Sequence, residues 1–466
     1  MNRKPLRVAL LGFGTVGSSV ARILVERPDL ATHVQLTHIF NRDVARKRAS
    51  WVPSSVAWTD NIDELFAAKP DAVVEVVGGV EPAGAWVRRA LTQGASVVTA
   101  NKMLLAAHAP ELLHLAATYG AQLRFEAAVA GGVPLIHGVR EGLAGDRLTR
   151  VAGILNGTSN YILSRMAGSD EPMSVVLDDA RKLGYAEADP SADVDGDDAA
   201  AKLVVLAGIA FRRHLRLSDI PRQSIRPISS ADFRYARRLG CTIRQIAMVE
   251  TGPQRAGPGS PSRMPARWDG DVRVGNPATP AEERFHAFVG PALVLRGSHF
   301  GLNMGANNVV TIAGHYGGEN SFSGAGAGGP ATAVAVVSDL LSLTQRTHER
   351  GEEWPSARVA SPPARPYYLR FVVRDRPGIL ASIAASLAHQ RINLDAVLQE
   401  PGYPKDALPF VITVEACEEA SLKAALDEIA GSDFHAERPL ALPMLFDPVA
   451  QACATGAPEL GEGERP

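Results

Sequence analysis

A glycine-rich turn directly after the first apolar run constrains the fold of this chain more than any other feature. The run Arg7–Leu11 leads straight into a GFGTVG turn, and a helical stretch begins there. In such a strand–turn–helix unit the first glycine allows the tight turn, the second lets the backbone approach a pyrophosphate, and the third lets helix and strand pack closely. The alternative is a glycine turn that serves packing alone. We predict a dinucleotide site that uses Gly12, Phe13, Gly14, Thr15, Val16 and Gly17.

The first part of the chain alternates apolar β-branched runs with helical stretches. The runs are Arg7–Leu11, Val34–Phe40, Asp71–Val77, Ser96–Ala100 and Gln122–Val129, and the helical stretches are Thr15–Leu30, Ile62–Ala68, Pro82–Leu91 and Pro110–Tyr119. Continuous apolar strands that alternate with helices are typical of a parallel sheet covered on both faces. The predicted fold class is therefore α/β, with a Rossmann-type parallel-sheet domain over residues 1–132.

The pattern changes after this domain. In chain order we predict an α+β domain over residues 133–345, an exposed linker over 346–365, a smaller domain over 366–440 and a disordered tail over 448–466. The last helix of the α+β domain, residues 331–343, is expected to pack back on the nucleotide domain. In the smaller domain, strands Tyr367–Arg374 and Pro409–Glu415 flank a helix over Ile379–His389.

Composition excludes several classes of protein. The formal net charge is −2, which argues against a nucleic-acid-binding protein that works by bulk positive charge. No apolar run approaches the roughly 20 residues that a membrane helix needs. The three cysteines are widely separated, so they form neither a metal-binding spacing nor a disulfide framework. We therefore expect a cytoplasmic protein that binds neither nucleic acid nor membrane.

The end of the second strand bears on the choice of cofactor. NAD-binding domains usually place an acid there, which accepts a hydrogen bond from the ribose 2′-hydroxyl. This chain has Asn41 followed by Arg42 and by further basic residues on the next turn. Because a guanidinium favours a 2′-phosphate, we predict NADP(H) as the preferred cofactor, recognised by Arg42. Asp43 keeps NAD(H) as the alternative, and the basic residues could also be a solvated helix start.

A cluster of acids precedes an apolar helix between Ala180 and Lys202. Asp198 and Lys202 are four residues apart, so they share one helical face. One explanation is an ordinary helix start, where acids favour the macrodipole and the last pair is a simple ion pair. Lysine is scarce, however: only 8 of the 48 lysine and arginine residues are lysines. Since lysine can lose its proton and arginine effectively cannot, we predict that Lys202 is a proton donor or acceptor.

The same stretch carries a longer pattern, and through it the chain resembles homoserine dehydrogenases, which interconvert aspartate 4-semialdehyde and homoserine. The residues that fill the family signature are Ala180, Gly184, Tyr185, Ala186, Asp189, Pro190, Asp193, Val194, Gly196, Asp198 and Lys202. Further segments that agree are Thr99–Lys102, Glu126–Val129, Asn156–Tyr161 and Gly324–Ala333. Ser159 and Ala188 depart from the common family pattern, and neither is an expected catalytic group. The resemblance extends over about residues 6–345.

The resemblance implies a role for each matching position. Lys202 and Lys102 should handle the hydroxyl proton while a hydride moves to or from C4 of the nicotinamide. The implied substrate-binding residues are Glu187 and Asp198 at the amino group, Asp193 in support, and Tyr185, Gly157 and Thr158 along the pocket. Beyond the first turn and Arg42, the implied cofactor-binding residues are Thr99, Lys102, Gly184, Gly326 and Gly328. Acids at one end suit a substrate that carries an ammonium group.

Family members also share a monovalent-cation site made mainly of backbone carbonyls. The resemblance places a sodium ion at Glu126, Val129, Gly131 and Val133. For Glu126 the alternative is an ordinary acid at the end of a strand.

The smaller domain resembles an ACT domain, a βαββαβ module that senses ligands. Asp375–Gly378, with the sequence DRPG, matches its first turn and helix start, and Asn393 lies where its second strand begins. The resemblance implies threonine as an inhibiting effector and assembly as a homodimer or homotetramer. The alternative is a dimerisation module that binds nothing.

Two other functions compete with this prediction. One is a different NAD(P)-dependent amino-acid oxidoreductase with a similar pocket, and the other is a non-catalytic sensor of a dinucleotide and an amino acid. The intact set of Lys202, Asp198 and Glu187 argues against the sensor.

Overall fold

The structure is a computed structural model, and it describes residues 4–252, 284–344 and 352–446. Within them, three sheets of four or more strands form three successive domains. The predicted tail over residues 448–466 lies outside the described residues. No helix in the described part of the chain is long and apolar enough to span a membrane.

The first domain is built on a six-stranded parallel sheet. Its strands are β1 (Leu6–Leu11), β2 (Val34–Phe40), β3 (Ala57–Thr59), β4 (Ala72–Glu75), β5 (Ser96–Thr99) and β6 (Leu123–Arg124). Its helices are α1 (Thr15–Glu26), α2 (Val44–Lys47), α3 (Ile62–Ala67), α4 (Ala83–Thr92) and α5 (Lys102–Thr118), with a 3₁₀ turn at Pro28–Thr32. The strand order is β3-β2-β1-β4-β5-β6, and every pairing is parallel. The predicted Rossmann-type sheet is confirmed.

Helix α5 begins eight residues earlier than the predicted start at Pro110. Asn101 caps the helix, because its side chain accepts the Leu104 N–H at 3.1 Å. Pro110 lies inside the helix, where it cannot donate a backbone hydrogen bond. The earlier start makes Lys102 the first residue of the helix.

The predicted strand over residues 122–129 is much shorter in the structure. It ends at Arg124, and a 3₁₀ turn over Glu126–Ala128 follows. The Glu126 backbone N–H donates to the buried Asp339 carboxylate at 2.8 Å instead of to a neighbouring strand. The turn therefore leaves the sheet because a side chain from a distant helix takes over this hydrogen bond.

The second domain contains a five-stranded antiparallel sheet covered by helices. Its strands are β7 (Leu148–Ile154), β8 (His214–Leu215), β9 (Cys241–Thr251), β10 (Phe285–Leu295), β11 (Asn307–Gly314) and β12 (Glu319–Ala325). Its helices are α6 (Leu135–His137), α7 (Gly157–Gly168), α8 (Met173–Lys182), α9 (Ser191–Val194), α10 (Asp197–Phe211), α11 (Ser230–Arg238), α12 (His299–Leu302) and α13 (Gly329–Thr344). The sheet order is β10-β9-β7-β11-β12, and β8 lies outside it.

Two helices of this domain contact the nucleotide domain. The apolar α10 shares one buried core with α5, through residues such as Leu203 and Leu104. Helix α13 packs on α1, where a Cβ added to Gly329 would lie 2.8 Å from the Thr15 carbonyl oxygen. Val336 and Leu340 continue this contact into the apolar core around β1. The helix that follows the glycine turn and the helix that follows the acidic loop therefore both lie at the junction of the two domains.

The segment after α13, predicted as an exposed linker, is anchored to the second domain at two points in its described part. Strand β13 (Ser356–Ala357) pairs with β8, and Trp354 is only 3% exposed. The Trp354 ring fills the space above Gly208 on α10 and meets Phe125 edge to face at 6.0 Å. Apart from Trp354, the described residues over 352–365 are exposed or half-buried, so the linker stays a prediction. A charged, proline-bearing stretch does not reveal that one aromatic side chain fills a groove on α10.

The third domain has the βαββαβ order of an ACT domain. Its elements are β14 (Arg365–Val373), α14 (Ile379–His389), β15 (Leu394–Gln399), β16 (Leu408–Cys417), α15 (Glu419–Ala430) and β17 (Leu440–Pro443). They form an antiparallel sheet in the order β15-β16-β14-β17. The predicted architecture is confirmed.

A buried polar cluster joins this sheet to the second domain. Arg370 on β14 contacts Asp232 on α11 at 2.6 Å, and the Tyr368 hydroxyl donates to the other oxygen of the same carboxylate at 2.9 Å. Asp232 is fully buried. Because an unpaired buried charge is costly, the cluster fixes how α11 sits on the sheet.

Candidate active site

The glycine turn has the geometry that a pyrophosphate requires. Gly12 adopts φ +100°, and a Cβ on Gly17 would lie 2.1 Å from the Gly12 carbonyl oxygen, so helix and strand are in direct contact. A Cβ on Gly14 would meet nothing within 4 Å, which leaves the space in front of α1 open. Phe13 is buried against Trp58, with ring centroids 4.7 Å apart. Of the other predicted positions, Thr15 is exposed and Val16 is half-buried.

Arg42 is the first of three exposed arginines that follow β2, ahead of Arg46 and Arg48. The Asn41 side chain accepts the Asp43 N–H at 3.0 Å, and the Asp43 carboxylate caps α2 by accepting the Arg46 N–H at 3.1 Å. The acid that could bind a ribose hydroxyl is therefore already part of a helix cap. Arg42, between the two, is exposed to solvent.

The loop after β5 brings a lysine to the domain junction. The Thr99 side chain points into the core, where its hydroxyl donates to the fully buried Glu75 at 2.5 Å. The next polar residue, Asn101, caps α5 and also donates to the Gly79 carbonyl oxygen at 2.6 Å. Lys102 follows at the first position of the helix, so its backbone position is firmly held.

Two lysines contact one carboxylate at the centre of the site. Lys202 Nζ lies 2.7 Å from Asp198 Oδ2, and Lys102 Nζ lies 3.0 Å from Asp198 Oδ1. Lys202 also donates to the Leu155 carbonyl oxygen at the end of β7, at 2.7 Å. Burial acts to raise the pKa of the Asp198 carboxyl, but the two lysines outweigh it and hold that pKa well below its usual range. Asp198 is therefore a fixed negative charge between two cations.

Asn156 organises the acids of the site, and it was not among the predicted site residues. Its amide nitrogen donates to Asp193 Oδ1 at 2.6 Å and to Asp198 Oδ2 at 2.9 Å. Its oxygen accepts the Ser159 N–H at 2.8 Å and so caps α7. An asparagine directly after a strand and before a helical stretch is the signal that could have identified it. Burial raises the pKa of the Asp193 carboxyl, and the Asn156 hydrogen bond opposes this.

The loop between α8 and α9 forms the outer wall of the site. Thr158, near the start of α7, donates to the Tyr185 carbonyl oxygen at 2.6 Å, and the Tyr185 ring lies 4.8 Å from that of Tyr161. Gly157 is the first residue of α7. Gly184, which follows α8, adopts φ +78° and is exposed.

Glu187 is exposed, and no hydrogen bond or ion pair within the described residues joins it to the central carboxylates. The structure therefore brings together Lys202, Lys102, Asp198 and Asp193, and leaves Glu187 at the rim.

The glycine-rich segment after β12 closes the site from the other side. Gly326 lies so close to Asn308 that a Cβ there would be 2.1 Å from its side chain, and Gly131 in turn lies against the Gly326 backbone. Asn308 donates to the Leu155 carbonyl oxygen at 3.3 Å, the same oxygen that Lys202 contacts. Gly328 adopts φ +110° beside an open space.

The predicted cation positions surround a carboxylate that is already engaged. Glu126 accepts the Ile136 and His137 N–H groups, each at 2.8 Å, and lies 3.0 Å from the His137 ring. Val129 is fully buried, Gly131 adopts φ +53°, and the Val133 carbonyl oxygen accepts the Leu135 N–H at 2.7 Å. Among the described residues, no group of histidine, cysteine and acidic side chains has metal-binding geometry. A cation here would depend on backbone oxygens.

Comparison with known proteins assigns the three domains. The family model for homoserine dehydrogenase matches residues 134–341, the model for the homoserine dehydrogenase NAD-binding domain matches residues 12–126, and the ACT model matches residues 367–431.

Curated relatives match over nearly the whole chain. A homoserine dehydrogenase from Mycobacterium leprae is 39% identical over 450 residues, which is 93% of this chain and 96% of that protein. One from Mycobacterium tuberculosis is 37% identical with the same coverage, and one from Bacillus subtilis is 33% identical over 88% of this chain and 91% of its own length.

Solved structures agree with the sequence comparisons. The crystal structure of a homoserine dehydrogenase from Thiobacillus denitrificans superposes with a TM-score of 0.81 at 31% identity, covering 95% of this chain and 98% of that one. A Staphylococcus aureus homoserine dehydrogenase gives a TM-score of 0.71 at 28% identity, covering 95% and 99%. A hyperthermophilic archaeal homoserine dehydrogenase mutant in complex with NADPH gives 0.58 at 25% identity, covering 74% and 100%. The resemblance found in the sequence is confirmed, and the chain belongs to the homoserine dehydrogenase family, NAD(P)-dependent oxidoreductases that interconvert aspartate 4-semialdehyde and homoserine.

Proposed function

We propose that Lys202 and Lys102 handle the proton of this reaction, at a carboxylate that holds both of them in place. The observation that carries the proposal is the pair of contacts on Asp198, at 2.7 and 3.0 Å. A lysine ammonium has three N–H donors. Lys202 uses two of them, on Asp198 and on the Leu155 carbonyl oxygen, which leaves one for the substrate oxygen. When bound, the nicotinamide supplies or accepts the hydride.

The acids of the site would bind the amino group of the substrate. Asp198 and Asp193 are linked through the Asn156 amide and form a rigid negative wall. Glu187 lies on the exposed loop above them, and its role requires that loop to close over the substrate. Tyr185, held by Thr158, would line the same pocket together with Gly157.

We propose NADP(H) as the preferred cofactor. The GFGTVG turn over residues 12–17 would hold the pyrophosphate, with Gly184, Gly326 and Gly328 beside the nicotinamide half. Arg42 is exposed at the end of β2, while Asp43 is used as a helix cap. The archaeal relative described in complex with NADPH supports the same choice. NAD(H) is the alternative.

A monovalent cation would be held by the backbone oxygens of Val129, Gly131 and Val133 beside Glu126. These positions fit such an ion because carbonyl oxygens are hard ligands. The backbone oxygens would be the main ligands, since the Glu126 carboxylate already accepts two backbone N–H groups. The ion would supply a fixed positive charge where the two domains join. Activity in sodium chloride and in tetramethylammonium chloride at equal ionic strength tests this assignment.

The ACT domain points to regulation by an amino acid, and we propose threonine as the effector. Asp375 lies in the turn before α14, and Gly378 at the N-cap adopts φ +93°. Because ACT domains commonly pair, we propose a homodimer or homotetramer, which light scattering on the full chain would test.

One assay tests the catalytic proposal. The purified chain is incubated with aspartate 4-semialdehyde and NADPH or NADH, and the absorbance of the reduced nicotinamide is followed. We expect oxidation with both cofactors and a higher specificity constant for NADPH. Cofactor binding without turnover would favour the sensor, and turnover of a different amino-acid aldehyde in place of this one would favour the other oxidoreductase.

A further inference from the structure

Arg226 lies between the substrate acids and the ACT domain, and we propose that it is a positioning residue that holds α9 in place and couples it to the ACT sheet. The proposal rests on the substrate-binding role proposed above for Asp193. It adds to that role a residue outside the pocket, which touches neither substrate nor cofactor.

The guanidinium of Arg226 contacts both ends of α9. Its Nε donates to Asp195 Oδ1 at 3.0 Å, and its Nη2 donates to Asp195 Oδ2 at 3.2 Å, so the pair is bidentate. The same Nη2 donates to Ser191 Oγ at 3.0 Å. The Ser224 hydroxyl donates to Asp195 Oδ1 as well, at 2.6 Å. The Arg226 segment is therefore fastened to the residue that begins α9 and to the residue that follows it.

Helix α9 depends on contacts from outside itself, of which the Arg226 contacts are one set beside those of Ser159 and Gln245 to the Asp193 carbonyl oxygen. It has four residues, and so short a helix has too few internal hydrogen bonds to be stable alone. It carries Asp193, whose carboxylate lies in the site, while Asp195 points the other way to Arg226. The exposed loop with Tyr185 and Glu187 ends at α9. A shift of α9 would therefore move Asp193 and the base of that loop together.

The residues that follow Arg226 contact the ACT domain. Arg370 Nη2 donates to the Pro227 carbonyl oxygen at 3.1 Å, and Arg370 Nη1 donates to Ser229 Oγ at 2.7 Å. Arg370 is itself anchored by the buried Asp232. Within a few residues the chain thus contacts α9 on one side and β14 on the other. The ACT sheet is therefore connected to α9 through residues 226–229, by the Arg370 hydrogen bonds at one end and the Arg226 hydrogen bonds at the other. A displacement of the sheet would be passed to Asp193 along this path.

Arg226 is a suitable test residue because its side chain is about half exposed, at 49%. Exposed ion pairs contribute little to folding stability, so its loss should change the position of α9 and leave the fold intact. Arg27 offers a matched control, since it forms a similar bidentate pair with Asp29 at 2.9 and 2.6 Å on the surface of the nucleotide domain.

The first experiment compares Arg226→Ala, Arg226→Lys and Arg27→Ala with the parent chain. In Arg226→Ala we expect KM for aspartate 4-semialdehyde to rise roughly tenfold, with kcat, KM for NADPH and the melting temperature unchanged. Arg226→Lys should recover part of the loss, because lysine keeps the charge but cannot make the bidentate contact. Arg27→Ala should match the parent. An unchanged KM for aspartate 4-semialdehyde in Arg226→Ala would overturn the positioning role. A comparable rise in KM for NADPH together with a lower melting temperature would also overturn it, because both would indicate general damage to the fold.

A double-mutant cycle tests the coupling to the ACT domain. Arg370→Lys is expected to raise KM for the aldehyde, and the Arg226→Ala/Arg370→Lys double variant should raise it by less than the product of the single effects. Independent, multiplicative effects would overturn the coupling.

A readout independent of turnover is backbone hydrogen exchange. Amides over residues 185–195 should exchange faster in Arg226→Ala than in Arg27→Ala, and unchanged exchange would overturn the proposal. If the parent chain failed to turn over the aldehyde, the proposed function would fail while the exchange experiment still decided the role of Arg226.

Discussion

Lys102 Nζ lies 3.0 Å from Asp198 Oδ1, although Lys102 opens α5 in the nucleotide domain and Asp198 lies in the first turn of α10 in the second domain. The contact depends on how the two domains pack, and their shared core of α5 and α10 sets that packing. Under the proposed roles, each side of the domain junction supplies one of the two lysines that handle the proton. The site is thus a property of the assembled pair of domains.

Replacing Lys202 with methionine tests the central assignment. Loss of a proton-transfer group typically costs about 10²–10⁴-fold in rate, so we expect Lys202→Met to lose nearly all turnover. NADPH binding and the circular dichroism spectrum should be retained, because methionine has a similar shape. Lys182→Met is the control, since Lys182 is an exposed residue paired with Asp179 on α8. Turnover equal to the parent would refute the role, and a larger loss in Lys102→Met would transfer it to that residue.

Asn156 should influence both the rate and its pH dependence. We expect Asn156→Ala to lower kcat/KM between about 10- and 100-fold, because Asp193 and Asp198 lose their common anchor. The lost hydrogen bond favoured the charged form of Asp193, so its pKa should rise further above its usual value. The acid limb of the kcat/KM profile should then move to higher pH.

Asn160→Ala provides a matched control for this variant. Asn160 is also buried and lies in the helix that Asn156 caps, but it donates to the carbonyl oxygens of Asn303 and Asn307 and has no hydrogen bond to either acid. An acid limb that stayed in place in Asn156→Ala, or moved as far in Asn160→Ala, would contradict the assignment.

These residues show how far the sequence alone could lead. The strand β1, the glycine turn and the Asp198–Lys202 spacing are local features, so they could be predicted from neighbouring residues. The scarcity of lysine and the resemblance both indicated Lys102, but its contact with Asp198 was not predicted, because no local pattern relates the two residues. The bridging role of Asn156 depends on where β7 ends relative to α10. Trp354 was missed because the groove above Gly208 forms only when α10 is packed.

Arg42 should determine cofactor preference. A charge-assisted hydrogen bond to a phosphate contributes about 1.5–3 kcal/mol, so we expect Arg42→Ala to lower the NADPH-to-NADH ratio of kcat/KM roughly ten- to a hundredfold. Activity with NADH itself should change little, since a hydroxyl gains little from the guanidinium. Arg22→Ala is the control, because Arg22 on α1 is paired with Glu26. A ratio that stayed constant would make Arg42 an ordinary surface charge.

Trp354 should stabilise the catalytic core although it follows the last helix of that domain. The side chain is buried against Gly208 and Phe125, and truncation of a buried tryptophan to alanine typically costs about 3–5 kcal/mol. We expect Trp354→Ala to lower the urea midpoint markedly and Trp354→Phe to lower it less, because phenylalanine keeps part of the ring contact. Equal midpoints for Trp354→Ala and the parent would mean that the segment does not pack on α10 in solution.

Threonine inhibition is best tested with point variants of the full chain. A chain that ended at residue 351 would lose Trp354 and β13 from the core, and it would leave the buried Asp232 without Arg370. Loss of inhibition in such a fragment could then follow from damage to the catalytic domain. Asp375 lies in the exposed turn before α14, where a substitution removes no buried contact.

In Asp375→Ala we expect the threonine concentration for half-inhibition to rise roughly 10- to 100-fold, with kcat and KM unchanged in the absence of threonine. This range corresponds to the about 1.5–3 kcal/mol that a hydrogen bond to a charged group contributes. Asp427→Ala is the control, since Asp427 is an exposed acid of the same domain that lies on α15. Threonine, like homoserine, is a small hydroxy-amino acid, so the alternative is that it competes with homoserine at the active site. Competitive inhibition with equal threonine sensitivity in Asp375→Ala and the parent would place threonine in the active site and refute the regulatory role of the turn.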